Sequence, residues 1–225
     1  MNFIKNKNEI ATKIDKGKYI KYFICPECFK VTPVEGTFEN HIDYYSNFEE
    51  KNVRVKLLNP DIQCYCDDCD DFMFECDDFM VDSVVKFNKA GYPTKFCCQG
   101  HHGDERTSDI GCLYSIPYIR FVDSGEYDWK VICDTLNQAI LYTKWKEYFQ
   151  INHMEKFLNN IEMNFPSEHP ILVSNKDREI RLNSKIFDNL DVTVQEFDKV
   201  RFYFCTVINQ VAYILSEEER SPESE

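Results

Sequence analysis

Residues 18 to 29 read KYIKYFICPECF and residues 64 to 70 read CYCDDCD, so two Cys-x-x-Cys pairs, Cys25 with Cys28 and Cys66 with Cys69, stand in one chain. Two thiolates on one tight turn supply half of a tetrahedral metal site, and a second such turn alongside completes it. The residues before the first pair are strand-like. FKVTPVEGTF after it continues as a second strand with a turn at Gly36, and VRVKLL leads as a strand towards the second pair. Four thiolates leave no coordination position for water. The expected Zn2+ is therefore structural, and in a small unit with little core it supplies much of the folding free energy. Cys64 and Cys76 flank the second pair, and either can replace one of its members in the ligand register.

The spacer between Cys28 and Cys66 is long, and HIDYYSNFEEKN within it lacks clear alternation, so it reads as an insertion between the two halves of the site. The paired knuckles resemble the zinc ribbon, a family of β-hairpin domains found in transcription, translation and phage proteins. The resemblance covers about residues 18 to 75 and implies two hairpins around one metal ion. Ribbons often carry Gly after the second cysteine of a knuckle; Phe29 and Asp70 stand there in this chain.

A chain of 225 residues that is 43% apolar can fill a genuine core. The eleven cysteines, with no basic and apolar leader before them, are expected to serve metal ligation in a reducing compartment rather than disulfides. No apolar run reaches membrane-spanning length, so a soluble, cytoplasmic protein is expected. A net charge of -13 repels phosphate backbones and disfavours nucleic acid as a partner. It favours a basic protein surface instead. The acid is uneven: from Asp61 to Asp82 there is no Lys or Arg, and Asp67, Asp68, Asp70 and Asp71 sit in and beside the second knuckle as candidate partner-binding residues.

Further along, Asp78 to Ala90 is predicted as a helix with an apolar stripe of Met80, Val81, Val84, Val85 and Phe87, an Asp77 or Asp78 cap, and Gly91 at its end. PTKFCC and IPYIRFV read as strands, and WKVIC as a third after the turn DSGEYD. Leu141 to Phe165 reads as one long helix stopped by Pro166, followed by a polar linker that includes SNKDREIRLNS. Thr193 and Glu196 then form a capping box, and Phe197, Val200, Phe204, Val207, Val211 and Leu215 recur at helical spacing. The tail SEEERSPESE is expected to be disordered. The fold class is α+β: a zinc-ribbon-like region with an insertion over 1–75, a small α+β unit over 76–135 and a helical region over 136–225.

One stretch resists assignment. TKFCCQGHHGDER, residues 94 to 106, offers Cys97, Cys98, His101 and His102 as metal ligands, and a Cys-His pair for nucleophilic chemistry. It also offers Gly100, His101, His102 and Arg106, with Arg120 from the next strand, as a grip for an anion or nucleotide. A plain Gly-containing turn is the remaining reading. TKFCCQGHH followed by IPYIRF resembles a pattern in uncharacterised zinc-containing proteins of Gram-positive bacteria and their phages. Three functions are consistent with the chain. The first is a zinc-stabilised acidic interaction protein, in the phage case an inhibitor acting in the host cytoplasm on a basic, nucleic-acid-binding surface. The second is an enzyme or nucleotide-binding protein using the Cys98 to Arg106 loop. The third is a nucleic-acid-binding zinc ribbon.

Overall fold

The computed structural model describes residues 19–36, 41–46, 51–56, 64–102, 114–164 and 169–218. The fold is α+β, and the chain divides into two compact units: Met1–Cys76 with His101–Ser115, and Asp77–Gly100 with Ile116–Glu225. The acidic tail and Arg106 lie outside the described residues.

In the first unit, β1 (Tyr19–Ile24) pairs antiparallel with β2 (Val31–Gly36), and β5 (Cys64–Cys66) with β6 (Asp71–Cys76). The two hairpins join through β1 and β6, with Ile24 opposite Phe74 and Tyr22 opposite Cys76, giving the sheet order β2-β1-β6-β5. Each hairpin turns through one Cys-x-x-Cys pair. The β1/β6 register puts both turns at the same end of the sheet, and sheet pairing thereby brings distant cysteines together. The inserted segment is a hairpin of its own: β3 (His41–Ser46) pairs with β4 (Lys51–Lys56). Two short strands, β8 (His101–His102) and β9 (Tyr114–Ser115), also pair in this unit.

The second unit is built around a long helix. A 3-10 turn, Asp78–Met80, runs into α1 (Val81–Lys89), and Met80, Val84 and Phe87 are buried as the stripe requires. Gly91 follows at φ 71, the left-handed conformation that closes a helix end. Neither Asp77 nor Asp78 caps the helix as expected; Asp77 instead accepts a hydrogen bond from the Gln99 amide at 2.9 Å. The stretch WKVIC is not a strand. It opens α2 (Trp129–Thr143), where Asp128 accepts from the Lys130 amide at 2.9 Å and Trp129, Ile132, Leu136, Ala139 and Ile140 form one buried face. Five residues were too few to separate a period of 2 from one of 3.6; the next ten residues continue the helical period.

The long helix expected from Leu141 to Phe165 is divided by left-handed residues, Lys144 at φ 45 and His153 at φ 55. Its first three residues, Leu141–Thr143, close α2, and the rest becomes α3 (Trp145–Ile151) and α4 (Glu155–Asn164). The supposed polar linker forms a hairpin, β11 (Ile171–Ser174) with β12 (Glu179–Leu182), in which Ile180 and Leu182 are buried and Arg181 is exposed. This hairpin joins β10 (Tyr118–Phe121) and β7 (Thr94–Cys98) in a four-stranded antiparallel sheet ordered β11-β12-β10-β7. Finally α5 (Val194–Glu218) packs on both α2 and α1. Its capping box is formed: the Thr193 amide donates to Glu196 at 3.0 Å and the Glu196 amide to the Thr193 hydroxyl at 3.2 Å. Phe197, Val200, Phe204, Val207, Val211 and Leu215 are all buried.

Candidate metal centre

The hairpin register delivers the sulfur atoms of Cys25, Cys28, Cys66 and Cys69 to within 4.8 Å of one another. Cys28 Sγ and Cys66 Sγ, from different knuckles, are 3.8 Å apart. A tetrahedron with metal–sulfur bonds of about 2.3 Å has edges of about 3.8 Å, so the spacing matches four ligands of one ion. Among the described residues this is the one group of three or more His, Cys, Asp or Glu side chains able to hold a metal ion. Cys64 packs against the cluster from the flank beside Phe23, Met73 and Val34, and Cys76 is buried at the far end of β6. Neither belongs to the group of four.

The two knuckles share one local geometry. Phe29 donates its amide to the Cys25 carbonyl at 3.1 Å, and Asp70 donates to the Cys66 carbonyl at 2.9 Å. Both residues sit at φ 58. These are the positions where ribbons often carry Gly, and the backbone takes the glycine-like conformation although the side chains are Phe and Asp. Asp tolerates that region well, whereas Phe adopts it at a steric cost. Lys30, next to the first knuckle, spans to Asp68 in the second with an ion pair of 2.6 Å.

The thiols ionise unequally. Burial opposes ionisation of Cys25, but the backbone N–H groups of Cys28 and Glu27 donate to its sulfur and bring its pKa down to about 7. Cys69 is pushed up to about 12, first by its hydrogen bond with the Cys28 sulfur and then by burial. Burial likewise raises Cys66. Crowded thiolates repel one another, and a divalent cation among them removes that penalty. Cys25 and Cys66 are buried, Cys69 is half-buried and Cys28 is exposed, so the centre sits at the surface tip of the sheet with one side open.

Around this tip the surface is acidic. Asp67, Asp68 and Asp70 are exposed and Asp71 is half-exposed. Tyr65 and Phe72 lie beside them, 44% and 62% exposed, in an edge-to-face pair with centroids 5.3 Å apart. The Tyr65 hydroxyl donates to Asp70, and the Asp71 carboxylate accepts from the Phe72 amide at 2.7 Å. The aromatic pair was not singled out in the sequence. Its signal was the alternation DFMFEC, which turns Phe72 to the face opposite Met73.

Within TKFCCQGHHGDER, residues 98–100 are held by a different set of bonds. Cys97 is half-buried and Cys98 buried on β7, where they lie opposite Ile119 and Tyr118. The Gln99 side chain accepts from the Phe79 amide at 3.1 Å, the Gly100 amide donates to Cys98 Sγ at 3.4 Å, and Arg201 donates to the Gly100 carbonyl at 3.0 Å. Gly100 itself sits at φ 85. Residues 98–100 are therefore tied to the 3-10 turn and to α5. Arg120 forms a fork on Glu179 with bonds of 3.1 and 2.6 Å. His101 and His102 form β8. No helix among the described residues is long and apolar enough to cross a membrane.

Comparison with protein-family models, curated proteins and solved structures yields no match to this chain.

Proposed function

We propose that the two knuckles form a zinc ribbon holding one structural Zn2+, and that the acidic, aromatic face beside them docks on a basic protein surface. The observation that carries this reading is the conjunction at one tip of four convergent thiols, exposed Asp67 and Asp68, and the Tyr65–Phe72 pair. Soft thiolates in a tetrahedral set suit zinc, and a closed set of four supplies folding free energy rather than a reactive water. Aromatic rings with a charged rim are what a docking surface needs: the rings supply buried area, and guanidinium groups of a partner can stack on them while pairing with the carboxylates.

Two measurements test the two halves. Elemental analysis of the full chain should give one zinc, lost in Cys25→Ser/Cys28→Ser and retained in Cys98→Ser/His101→Ala. A second metal lost only in the latter variant would transfer the chemistry to TKFCCQGHHGDER. For the docking half, an Arg- and Lys-rich peptide is titrated against a Gln-substituted control. The triple variant Asp67→Asn/Asp68→Asn/Asp71→Asn should weaken its binding by roughly tenfold or more at low salt. Equal binding by variant and wild type would sink the acidic-face reading while leaving the zinc untouched.

A further inference from the structure

A second surface feature lies wholly in the other unit. The turn between β11 and β12, residues 175–178, stands against the start of α2, and Tyr127, Trp129, Lys130, Cys133, Asn175 and Arg178 line an open cleft of about 450 Å³. That is within the size range of small-ligand sites. Arg178 sits at φ 50, a left-handed position that hairpin turns usually give to Gly or Asn. An arginine there carries a steric cost, so its side chain has a use worth asking about.

The side chain is held but not used up. Its guanidinium carbon lies 5.6 Å from the Trp129 ring centroid, and Nε donates to Asp123 at 3.3 Å. The two terminal nitrogens make no hydrogen bond among the described residues, which leaves the planar fork of the guanidinium available. Asn175 is fixed from the other side: its Oδ1 accepts from Trp129 Nε1 at 2.8 Å, leaving the amide nitrogen without a partner among the described residues. Lys130 reaches the same cleft, though its ammonium already pairs with Asp134. Asp128, the acid of the rim, is turned to the Lys130 amide as the cap of α2. The Cys133 thiol is raised by burial and adds no negative charge.

We propose that this cleft binds a small ligand through an oxyanion, a carboxylate or a phosphate ester, received by the Arg178 fork and the Asn175 amide. Both free groups are donors, one is a cation of fixed orientation, and the fork matches two oxygens of a carboxylate or phosphate. The indole under the guanidinium keeps the fork rigid, so little side-chain freedom is lost on binding. All of the residues that line it belong to the second unit.

Trp129 is one of two tryptophans, so the test is direct. In a Trp145→Phe background, inorganic phosphate and acetate are titrated in separate arms at constant ionic strength, with chloride as control, and Trp129 emission is followed. A saturable change with Kd on the order of 1 mM is expected in at least one arm, and the stronger arm identifies the oxyanion. Arg178→Asn, which keeps the left-handed turn accessible, should abolish the response; Arg178→Lys, a point charge without the fork, should weaken it. Asn175→Asp keeps the bond to Trp129 and puts a carboxylate where the anion belongs, so it too should lose binding even if the Arg178 variants fold poorly. A response no different from chloride in both arms, or unchanged affinity in Asn175→Asp, overturns the proposal.

Discussion

The two units hold themselves together by different means. In the second, α5 buries a continuous stripe from Phe197 to Leu215 against α1 and α2, and fully buried aromatics such as Phe87, Phe149, Phe157 and Phe204 fill the interior. In the first, the described core is Phe23, Ile24, Met73 and three cysteines, Cys25, Cys66 and Cys76. Two of those cysteines belong to the group of four able to hold a metal ion, so part of the described core doubles as possible ligand. Where the described buried apolar side chains are few, a bound metal ion can add folding free energy that burial does not supply. The described buried side chains of the first unit are half cysteine, those of the second largely aliphatic and aromatic, and that difference forecasts which perturbations each unit feels.

The largest expected effect separates the units outright. Removing the proposed zinc with a strong chelator, or mutating Cys25→Ser/Cys28→Ser, should unfold the first unit while the helical far-UV signal of the second persists; structural zinc in zinc-finger peptides is worth about 10–16 kcal/mol. Limited proteolysis of the full chain reads this as new cleavage confined to the knuckle region. Concerted loss of the helical signal would erase the distinction between the units.

Next in size, Phe204→Ala should cost about 3–5 kcal/mol, because it opens a cavity in a site with 0% exposure. Metal content should not change. Thermal unfolding and elemental analysis on the same sample check both halves of that expectation.

A smaller effect concerns the start of α5. Thr193→Ala should cost about 1 kcal/mol by breaking the capping box. The same box carries a pH dependence. Burial works to raise the Glu196 carboxyl, but Lys156 and the Thr193 amide and hydroxyl hold it below its usual value of 4.5. A depressed pKa means the stabilisation is present above that value and is lost as pH falls through the folded-state value. Glu196→Gln should therefore flatten the acid limb of the stability curve below about pH 4.5, a change visible in denaturant melts from pH 6 downwards.

The smallest is Phe29→Gly. Glycine relieves the left-handed strain but loosens the unfolded chain by a similar amount, so stability should stay within about 0.5 kcal/mol of wild type with full metal content. Loss of metal in this variant would mean that the aromatic side chain, not the backbone turn, shapes the knuckle.

What the sequence made legible follows the same contrast. Cys25, Cys28, Cys66 and Cys69 were readable because ligand spacing is a local property of a turn, and Thr193 with Glu196 was readable because a capping box is too. The stripe on α5 was long enough to fix its period. WKVIC and EIRL were short segments whose state depends on partners far away: Trp129 belongs to a fifteen-residue helix, and Glu179 is buried because Arg120 meets it across the sheet. The stretch from Cys98 to Arg106 admitted several readings because Cys, Gly and His are rich in possible roles, and Gln99 and Gly100 within it make contacts the sequence does not signal. Their bonds to Phe79 and Arg201 are long-range and leave no local pattern to read.

The path of the chain has a practical consequence. The first unit takes residues up to Cys76 and then again His101–Ser115, so the second unit's α1 and β7 interrupt it in sequence. Neither unit is a cassette. A fragment ended at Cys76 would keep all four clustered cysteines yet omit β8 and β9, and one begun at Asp77 would carry those strands without the rest of their unit. The chain passes between the units three times, after Cys76, Gly100 and Ser115, so separating them takes three cuts rather than one, and the cut after Gly100 falls beside a carbonyl held by Arg201.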